Sequence, residues 1–454
     1  MTKKKKVGKK AGKKVSATPA KKAASGGGRK AGARRKSGEG GATASSKKAP
    51  VRSISKKAGT ARKSGSKKPA TRKAGKILKK RIKPNTSTDA ESRAKFTISR
   101  ITDLGADVVR ASLAETDPFV DVPTRAVSNM HFNQDKRILE MGDNTQRREL
   151  FNLNQARKFM QTILLAKGCK DLVEAGKTLS LRGMYYKSLH TIEGTKEKTF
   201  DEQSESDGIL EDIEVTLATL REDLHVFAKK RGTMVGNITV FDNGDEINCR
   251  RMGTGGYAIP SICEPNVIKF GKTEAKFVLH VEKDTVWSRF NEDRFWEKHN
   301  CILTEGSGQP PRGVRRLLHR LHNELGLPIY CLLDCDPWGH YIYSVIKQGS
   351  INLAYESERM AVPDAKYLGI RADDYDRCGL SDDVKIALTD RDRTRAKQIA
   401  DYPWFKDRRH WQREIKKMLG NGFKMEVESL ITKDISYVTE EYVPERLSQK
   451  DFLD

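Results

Sequence analysis

The pattern of apolar and polar positions changes character along the chain. Residues 86–140 mix short apolar stretches with turn signals, among them PFVDVPTRAVSN at 118–129, and predict a connecting segment with some strand. From Asn152 the period becomes helical. ARKFMQTILLAKG (156–168) sets Phe159, Ile163 and Leu164 at i, i+4 and i+5 on one face, with Gly168 as the expected stop. Ser180 is placed to cap LRGMYYKSLH (181–190), and GILEDIEVTLATLREDLHVFAKKRG (208–232) predicts a further helix ending in a basic cluster. MVGNITVFDNGDEINCRRMG (234–253) reads as two strands around Asn243-Gly244, a strong hairpin dipeptide. Three helices and a two-stranded wing outline a winged helix-turn-helix.

Beyond about residue 265, strand and helix signals alternate. KFVLHVEKD (276–284) and PIYCLLDCDPWGHYI (328–342) read as buried strands, the second turning into a helix. CILTEGSG (301–308) reads as strand and loop, and RGVRRLLHRLHNELG (312–326) as a helix. This alternation predicts a parallel sheet with helices on its faces. The expected fold class is therefore α/β and multidomain: a disordered basic tail over 1–85, a connecting segment over 86–140, a winged-helix (CAP-like) domain over 141–235, and a parallel-sheet domain over 236–454 with a preceding strand segment.

Charge sharpens the first boundary. The 454-residue chain carries a formal +26, but residues 1–85 hold 31 Lys and Arg against one acid, Glu39. The rest holds 55 basic and 59 acidic residues and is slightly acidic. The first 85 residues contain no Phe, Tyr or Trp, repeat KKA-type units, and resemble a linker-histone tail. Such a composition buries too little apolar surface to offset chain entropy. A polycation of this kind binds polyanions by counterion release, so a non-specific DNA tether is expected, with a targeting or solubilising tail as the alternative. The seven cysteines are scattered without a CxxC pair, which argues for reduced thiols rather than a disulfide framework or a zinc site. No secretory signal and no bilayer-length apolar run is visible, so no membrane association is expected.

The candidate chemistry lies at strand ends. Glu282 ends one predicted strand, and Asp334 and Asp336 end another, followed by Pro337 and Gly339. C-terminal strand ends of a parallel sheet gather on one edge. Three carboxylates there repel one another unless a cation sits among them, and all-oxygen ligands select a hard one, Mg²⁺. Arg312, Arg316 and Arg320 follow at i, i+4 and i+8, a basic face for phosphate contact or for solvent. Two near misses to a P-loop, FGKT (270–273) and AGKT (175–178), lack the required earlier glycine, with Asn266 and Asp171 in its place. ATP, if used, binds another chain.

These features together resemble the A subunit of type IIB DNA topoisomerases, the family of topoisomerase VI and its relative, the meiotic double-strand-break transesterase. The resemblance covers roughly residues 118–450. It rests on VPTRAVSN (122–129), LRGMYY (181–186), LEDIEVTLATLRED (210–223), VEKD (281–284), GSGQPPRGVRRLL (306–318), LLDCDPWG (332–339) and HWQREIKKML…KMEVESL…EYVPERL (410–447). It departs at Pro311, where many relatives have aspartate after the proline. The resemblance implies that the sheet domain is a metal-binding Toprim domain, with Glu282, Asp334 and Asp336 as the Mg²⁺ ligands. It implies that Tyr186, the second of the aromatic pair, is the nucleophile, with Tyr185 a packing residue and Arg182 its catalytic companion. A tyrosine side chain with a reference pKa near ~10 is ionised to about one part in a thousand at pH 7, a deficit of roughly 4 kcal/mol. A neighbouring arginine and a metal on the phosphate can offset much of it. The family further implies double-stranded DNA as substrate, a 5′-phosphotyrosyl link, a homodimer that cuts both strands, an ATP-binding B subunit in an A2B2 assembly, and an intracellular place on DNA. Two alternatives stand beside the topoisomerase: a recombination initiator of the same family, and a non-catalytic DNA-packing protein working through its tail.

Overall fold

The computed structural model describes residues 89–454; the tail expected over 1–85 lies outside the described residues. The connector expected over 86–140 opens instead with a 24-residue helix, α1 (Ala90–Leu113), capped by the Asp89 carboxylate accepting from Ser92 N at 2.7 Å. Gly105 and the β-branched Thr97, Ile98, Ile101, Thr102, Val108 and Val109 lower its helical propensity, which hides it in the sequence. Packing compensates: Ile101 and Leu104 join the core of the helices that follow. Two ribbons come next. β1 (Phe119–Pro123) pairs antiparallel with β4 (Thr145–Glu149), and β2 (Met130–Asn133) with β3 (Ile138–Met141).

α2 (Ala156–Glu174) runs through Gly168 rather than stopping there. A Cβ at Gly168 would meet the Met184 thioether at 3.3 Å, so this glycine is a close-packing contact for the helix carrying Met184. β5 (Leu179–Ser180) leads into that helix, α3 (Leu181–Ser188), and the Ser180 hydroxyl accepts from Gly183 N at 3.0 Å as its N-cap. α4 (Gln203–Leu217) starts before Gly208 and ends well short of the basic cluster, at Ala218 in the left-handed region with φ 52°. The chain then turns into β6 (Val226–Phe227), which pairs with β5.

The hairpin at Asn243-Gly244 forms as β8 (Ile238–Asp242) and β9 (Asp245–Asn248), following β7 (Thr233–Gly236). It is not a wing on the helices. β8 takes β11 (Ile268–Thr273) as its other partner, after β10 (Tyr257–Ala258). Ile238, Val240 and Ile268 enter the hydrophobic core of the large sheet, while Met184, Leu210 and Leu217 belong to a separate helical core. Alternation around an Asn-Gly turn predicts a hairpin but not its packing partner.

The large sheet is as the alternation predicts. β12 (Val278–Val281), β13 (Ile302–Glu305), β14 (Ile329–Leu332) and β15 (Lys366–Gly369) are mutually parallel, and the six strands run β10-β7-β13-β12-β14-β15. β7 joins antiparallel to β13 and β10 to β7. The crossovers are α5 (Asp284–Glu292) with α6 (Phe295–Lys298) after β12, α7 (Arg312–Leu325) after β13, and α8 (Pro337–Gln348) after β14. Val278, Ile302 and Ile329 stand in register at the strand starts, so Val281, Glu305 and Leu332 end level. That register brings the residues after β12 and β14 to one edge. No helix among the described residues is long and apolar enough to cross a membrane.

Candidate active site

α3 holds the tyrosine pair. Successive helical residues point about 100° apart, so the two rings have different surroundings. Tyr185 is half-buried, packs edge-on against Phe200 with centroids 6.5 Å apart, and donates from its hydroxyl to Asp201 O at 3.4 Å. Tyr186 is 58 % exposed. One turn earlier, Arg182 places Nη2 3.5 Å from the Tyr186 hydroxyl and its guanidinium 5.7 Å from the ring centroid. An exposed phenol with a guanidinium at its oxygen is poorly explained by packing, which needs neither feature.

The three acids lie along the same sheet edge. Glu282 follows β12 directly, and its Oε2 accepts from Asp334 N at 3.1 Å. Cys335 pairs with Met425 in an isolated antiparallel bridge, so the flanking Asp334 and Asp336 share the face opposite its side chain. Asp334 Oδ1 accepts from Val427 N at 2.9 Å, while Oδ2 pairs with Lys283 Nζ at 2.9 Å. Asp336 is the N-cap of α8, accepting from Gly339 N at 2.6 Å, and Lys424 Nζ stands 3.7 Å from its Oδ2. The role of Gly339 is internal: a Cβ there would lie 2.3 Å from the Asp334 carbonyl oxygen, so the glycine lets α8 approach its own acidic loop. Burial pushes Glu282 up to about 8, with Asp334 and Asp336 adding repulsion, and pushes Asp334 up to about 6. Asp336 is also raised, again chiefly by burial.

Buried carboxylates that oppose one another's ionisation are a donor set suited to a hard divalent cation. As they stand, Glu282 Oε2, Asp334 Oδ1 and Asp336 Oδ1 accept from backbone N–H groups, and Asp334 Oδ2 is held by Lys283. Among the described residues no three His, Cys, Asp or Glu side chains are grouped so as to hold a metal ion.

Residues 277–447 match the family described as Topoisomerase 6 A-subunit/Spo11, Toprim domain. Residues 157–226 match Type IIB DNA topoisomerase, and 230–274 the all-beta domain in DNA topoisomerase VI alpha subunit. The chain is 41% identical over 365 residues to the A subunit of type 2 DNA topoisomerase 6 from Pyrococcus horikoshii, covering 78% of this chain and 95% of that one. It is 39% identical over 353 residues to the protein of the same name from Aeropyrum pernix, covering 74% and 90%. It is 34% identical over 357 residues to the A3 subunit of DNA topoisomerase 6 from Oryza sativa subsp. indica, covering 78% of each. The chain belongs to the topoisomerase VI A-subunit family.

The Toprim match in this family member spans Glu282, Asp334 and Asp336. The all-beta match covers the 243–244 hairpin together with its partner β11, in place of the expected wing. The basic row on α7 is taken up by partners inside the fold rather than by solvent. Arg312 pairs with Glu214 and Glu356, Arg316 with Glu264, and Arg320, 2 % exposed, donates to Cys263 O and Ile268 O. Those acids lie far away in sequence, so no local pattern could reveal them. Sequence reading also missed Lys283, Lys424, Glu426 and Glu428 around the acids. Lys283 was within reach, since it directly follows Glu282 in VEKD.

Proposed function

We propose that this chain is the DNA-cleaving subunit of a type IIB topoisomerase and that Tyr186 is its nucleophile. The observation that carries the reading is the exposed Tyr186 hydroxyl with Arg182 3.5 Å away, on a chain that also presents Toprim acids at a sheet edge. The Tyr186 oxygen attacks a backbone phosphorus of double-stranded DNA, and the bond from phosphorus to the 3′ oxygen breaks. The protein is left on the 5′ phosphate. The phenolic proton passes to solvent, and the departing 3′ oxygen takes one up. Arg182 stabilises negative charge on the attacking oxygen and the phosphate. Because a phosphodiester is exchanged and not hydrolysed, the same steps in reverse reseal the strand.

Glu282, Asp334 and Asp336 would hold a divalent cation, with Mg²⁺ the natural choice, which when bound neutralises phosphate charge. Two chains cut two strands, so a homodimer is the working unit. ATP belongs to a separate B subunit in an A2B2 assembly, in keeping with a sequence that has no complete P-loop. The place of action is intracellular DNA.

The test is covalent capture: the chain, a B subunit, Mg²⁺, ATP and supercoiled plasmid, stopped with detergent. Protein-linked linear DNA is expected with the unmodified chain and with Tyr185→Phe, and none with Tyr186→Phe. Loss in Tyr185→Phe instead would move the nucleophile. No adduct with a B subunit of proven activity, while the chain still retards DNA, would favour the packing role. Adduct without plasmid relaxation would favour the recombination initiator.

A further inference from the structure

One of the acids at the sheet edge, Asp334, is already paired with a cation of the chain itself. Lys283 Nζ lies 2.9 Å from Asp334 Oδ2, 3.1 Å from Glu426 Oε2 and 3.2 Å from Glu428 Oε2. Two of these carboxylates are also held independently of it. Asp334 Oδ1 takes Val427 N, between the two glutamates, and Glu428 Oε1 takes the Thr285 hydroxyl at 2.8 Å. The ammonium thus sits in a small ring tied at both ends, from the start of α5 to the segment after Lys424. One of its three partners is a proposed metal ligand and two are not.

We propose that Lys283 is a resident counter-ion for Asp334, and that Glu426 and Glu428 are its alternative seat when a divalent cation takes that carboxylate. The inference rests on the reading that Glu282, Asp334 and Asp336 hold the metal. Lysine carries a compact charge on a flexible stem, so it can shift between acids about 3 Å away on either side without leaving the site. While it contacts Asp334 it competes with the metal. Seated on the two glutamates, it remains as fixed positive charge beside the site without taking up a metal ligand. Lys283 is accordingly a positioning residue that sets metal affinity.

The sign of each substitution follows. Removing the competitor in Lys283→Met strengthens binding of a divalent cation, by about fivefold on the scale of a partly exposed ion pair. Removing the alternative seat in Glu426→Gln with Glu428→Gln leaves the ammonium to Asp334 alone and weakens binding by a similar factor. Placed in the Lys283→Met background, the same two glutamine substitutions change affinity little, because no ammonium remains to be reseated.

The experiment is Mn²⁺ binding to the full chain without DNA, read by calorimetry and by the loss of the free-ion electron paramagnetic resonance signal. Thermal unfolding in EDTA checks that each variant folds, with Lys283→Gln as the milder second variant. Tighter binding in Lys283→Met and Lys283→Gln, weaker binding in the double glutamine variant, and no further effect when they are combined are the expected results. Unchanged or weaker binding in both lysine variants overturns the inference. A double glutamine variant that weakens binding equally in both backgrounds overturns it too, by making Glu426 and Glu428 metal ligands. Asp334→Asn is the control for the underlying reading: if it leaves Mn²⁺ affinity unchanged, the acids are not the metal site and both readings fall together. If it abolishes binding while the lysine variants have no effect, only the inference falls.

Discussion

Arg312, the first residue of α7, donates through Nη1 to Glu214 Oε2 of α4 at 2.5 Å. The bond joins two hydrophobic cores. α4 packs in the helical core with α3, which carries Tyr186, while α7 leaves the loop whose Gly308 N donates to Glu282 O at 2.8 Å. Around it, Arg221 Nε reaches Glu214 Oε1 at 2.9 Å, Tyr355 donates to Glu214 at 2.5 Å, and Arg312 also holds Glu356 at 2.8 Å. Glu214 is fully buried, and Arg312 and Arg221 outweigh its burial to hold it below the usual carboxylate range.

Breaking one partner of such a buried pair strands the other, at a cost of about 3–5 kcal/mol. Arg312→Met and Glu214→Gln should each lower unfolding free energy on that scale, and together by clearly less than the sum. Urea unfolding of the four proteins gives the coupling directly. Additive losses would mean that the two side chains act independently.

Arg182 is exposed and makes its one described side-chain hydrogen bond to the Tyr186 hydroxyl. Arg182→Ala should therefore leave the unfolding midpoint nearly unchanged while slowing adduct formation by roughly 10²–10³-fold, the usual loss of a charge-stabilising donor. Adduct time courses under single-turnover conditions measure this. A normal rate would remove Arg182 from the chemistry.

Gly339 sits where a Cβ would come within 2.3 Å of the Asp334 carbonyl oxygen, a backbone atom with little freedom to yield. Gly339→Ala should push α8 away from the acidic loop and break the Asp336 cap, destabilising by about 2 kcal/mol. Metal affinity should fall by roughly 10–100-fold, the scale of disturbed support around a ligand. Mn²⁺ titration of a variant that still unfolds cooperatively tests it, and unchanged affinity would separate the cap from the metal site.

What could be read from the sequence divides along physical lines. The strands carrying Glu282 and Asp334 were legible because a buried parallel sheet needs continuous apolar runs, and α7 because Val314, Leu317, Leu318 and Leu321 repeat at helical spacing and are buried as that spacing requires. The exposed phenol was legible as a question, two adjacent tyrosines on one helix. α1 was not legible, since tertiary packing overrides its weak local propensity. Nor was the partner of the 243–244 hairpin, because β8 pairs with β11 across a sequence gap no local pattern spans. The arginines of α7 show the same limit: their spacing is in the sequence, but Glu214, Glu264 and Glu356 come from elsewhere in the fold.

Ala218 ends α4 with φ 52° and ψ 43°, a conformation that places its Cβ against the following carbonyl. Ala218→Gly removes that strain and should raise stability by about 1 kcal/mol. A gain in thermal midpoint with unchanged adduct formation is the expected pair of observations; a loss would mean that the methyl group contributes packing worth more than the strain.

Glu414 gives the metal-free protein a pH dependence of definite sign. It lies buried on the helix Arg409–Asn421, accepts from Ala372 N at 2.7 Å, and has His340 Nε2 4.0 Å away. Burial pushes it up to about 7 from an ordinary value of 4.5. Its folded form therefore holds a proton that the unfolded chain releases. The associated stability is fully present below pH 4.5 and is lost as pH rises through 7. Glu222, half-buried with its Oε2 out of solvent, is raised to about 7, chiefly by desolvation, and adds in the same direction. The contribution of these two carboxyls to the unfolding free energy in EDTA should accordingly fall between about pH 4.5 and 7.5 and level off above that. Glu414→Gln keeps the shape of the protonated side chain without its titration, so it should flatten that fall and be the more stable protein at about pH 8 by on the order of 2 kcal/mol. Urea unfolding across the range decides it: a slope no shallower in Glu414→Gln would mean that the carboxylate is ionised throughout, stabilised by Arg371 and the Ala372 amide more than burial opposes it.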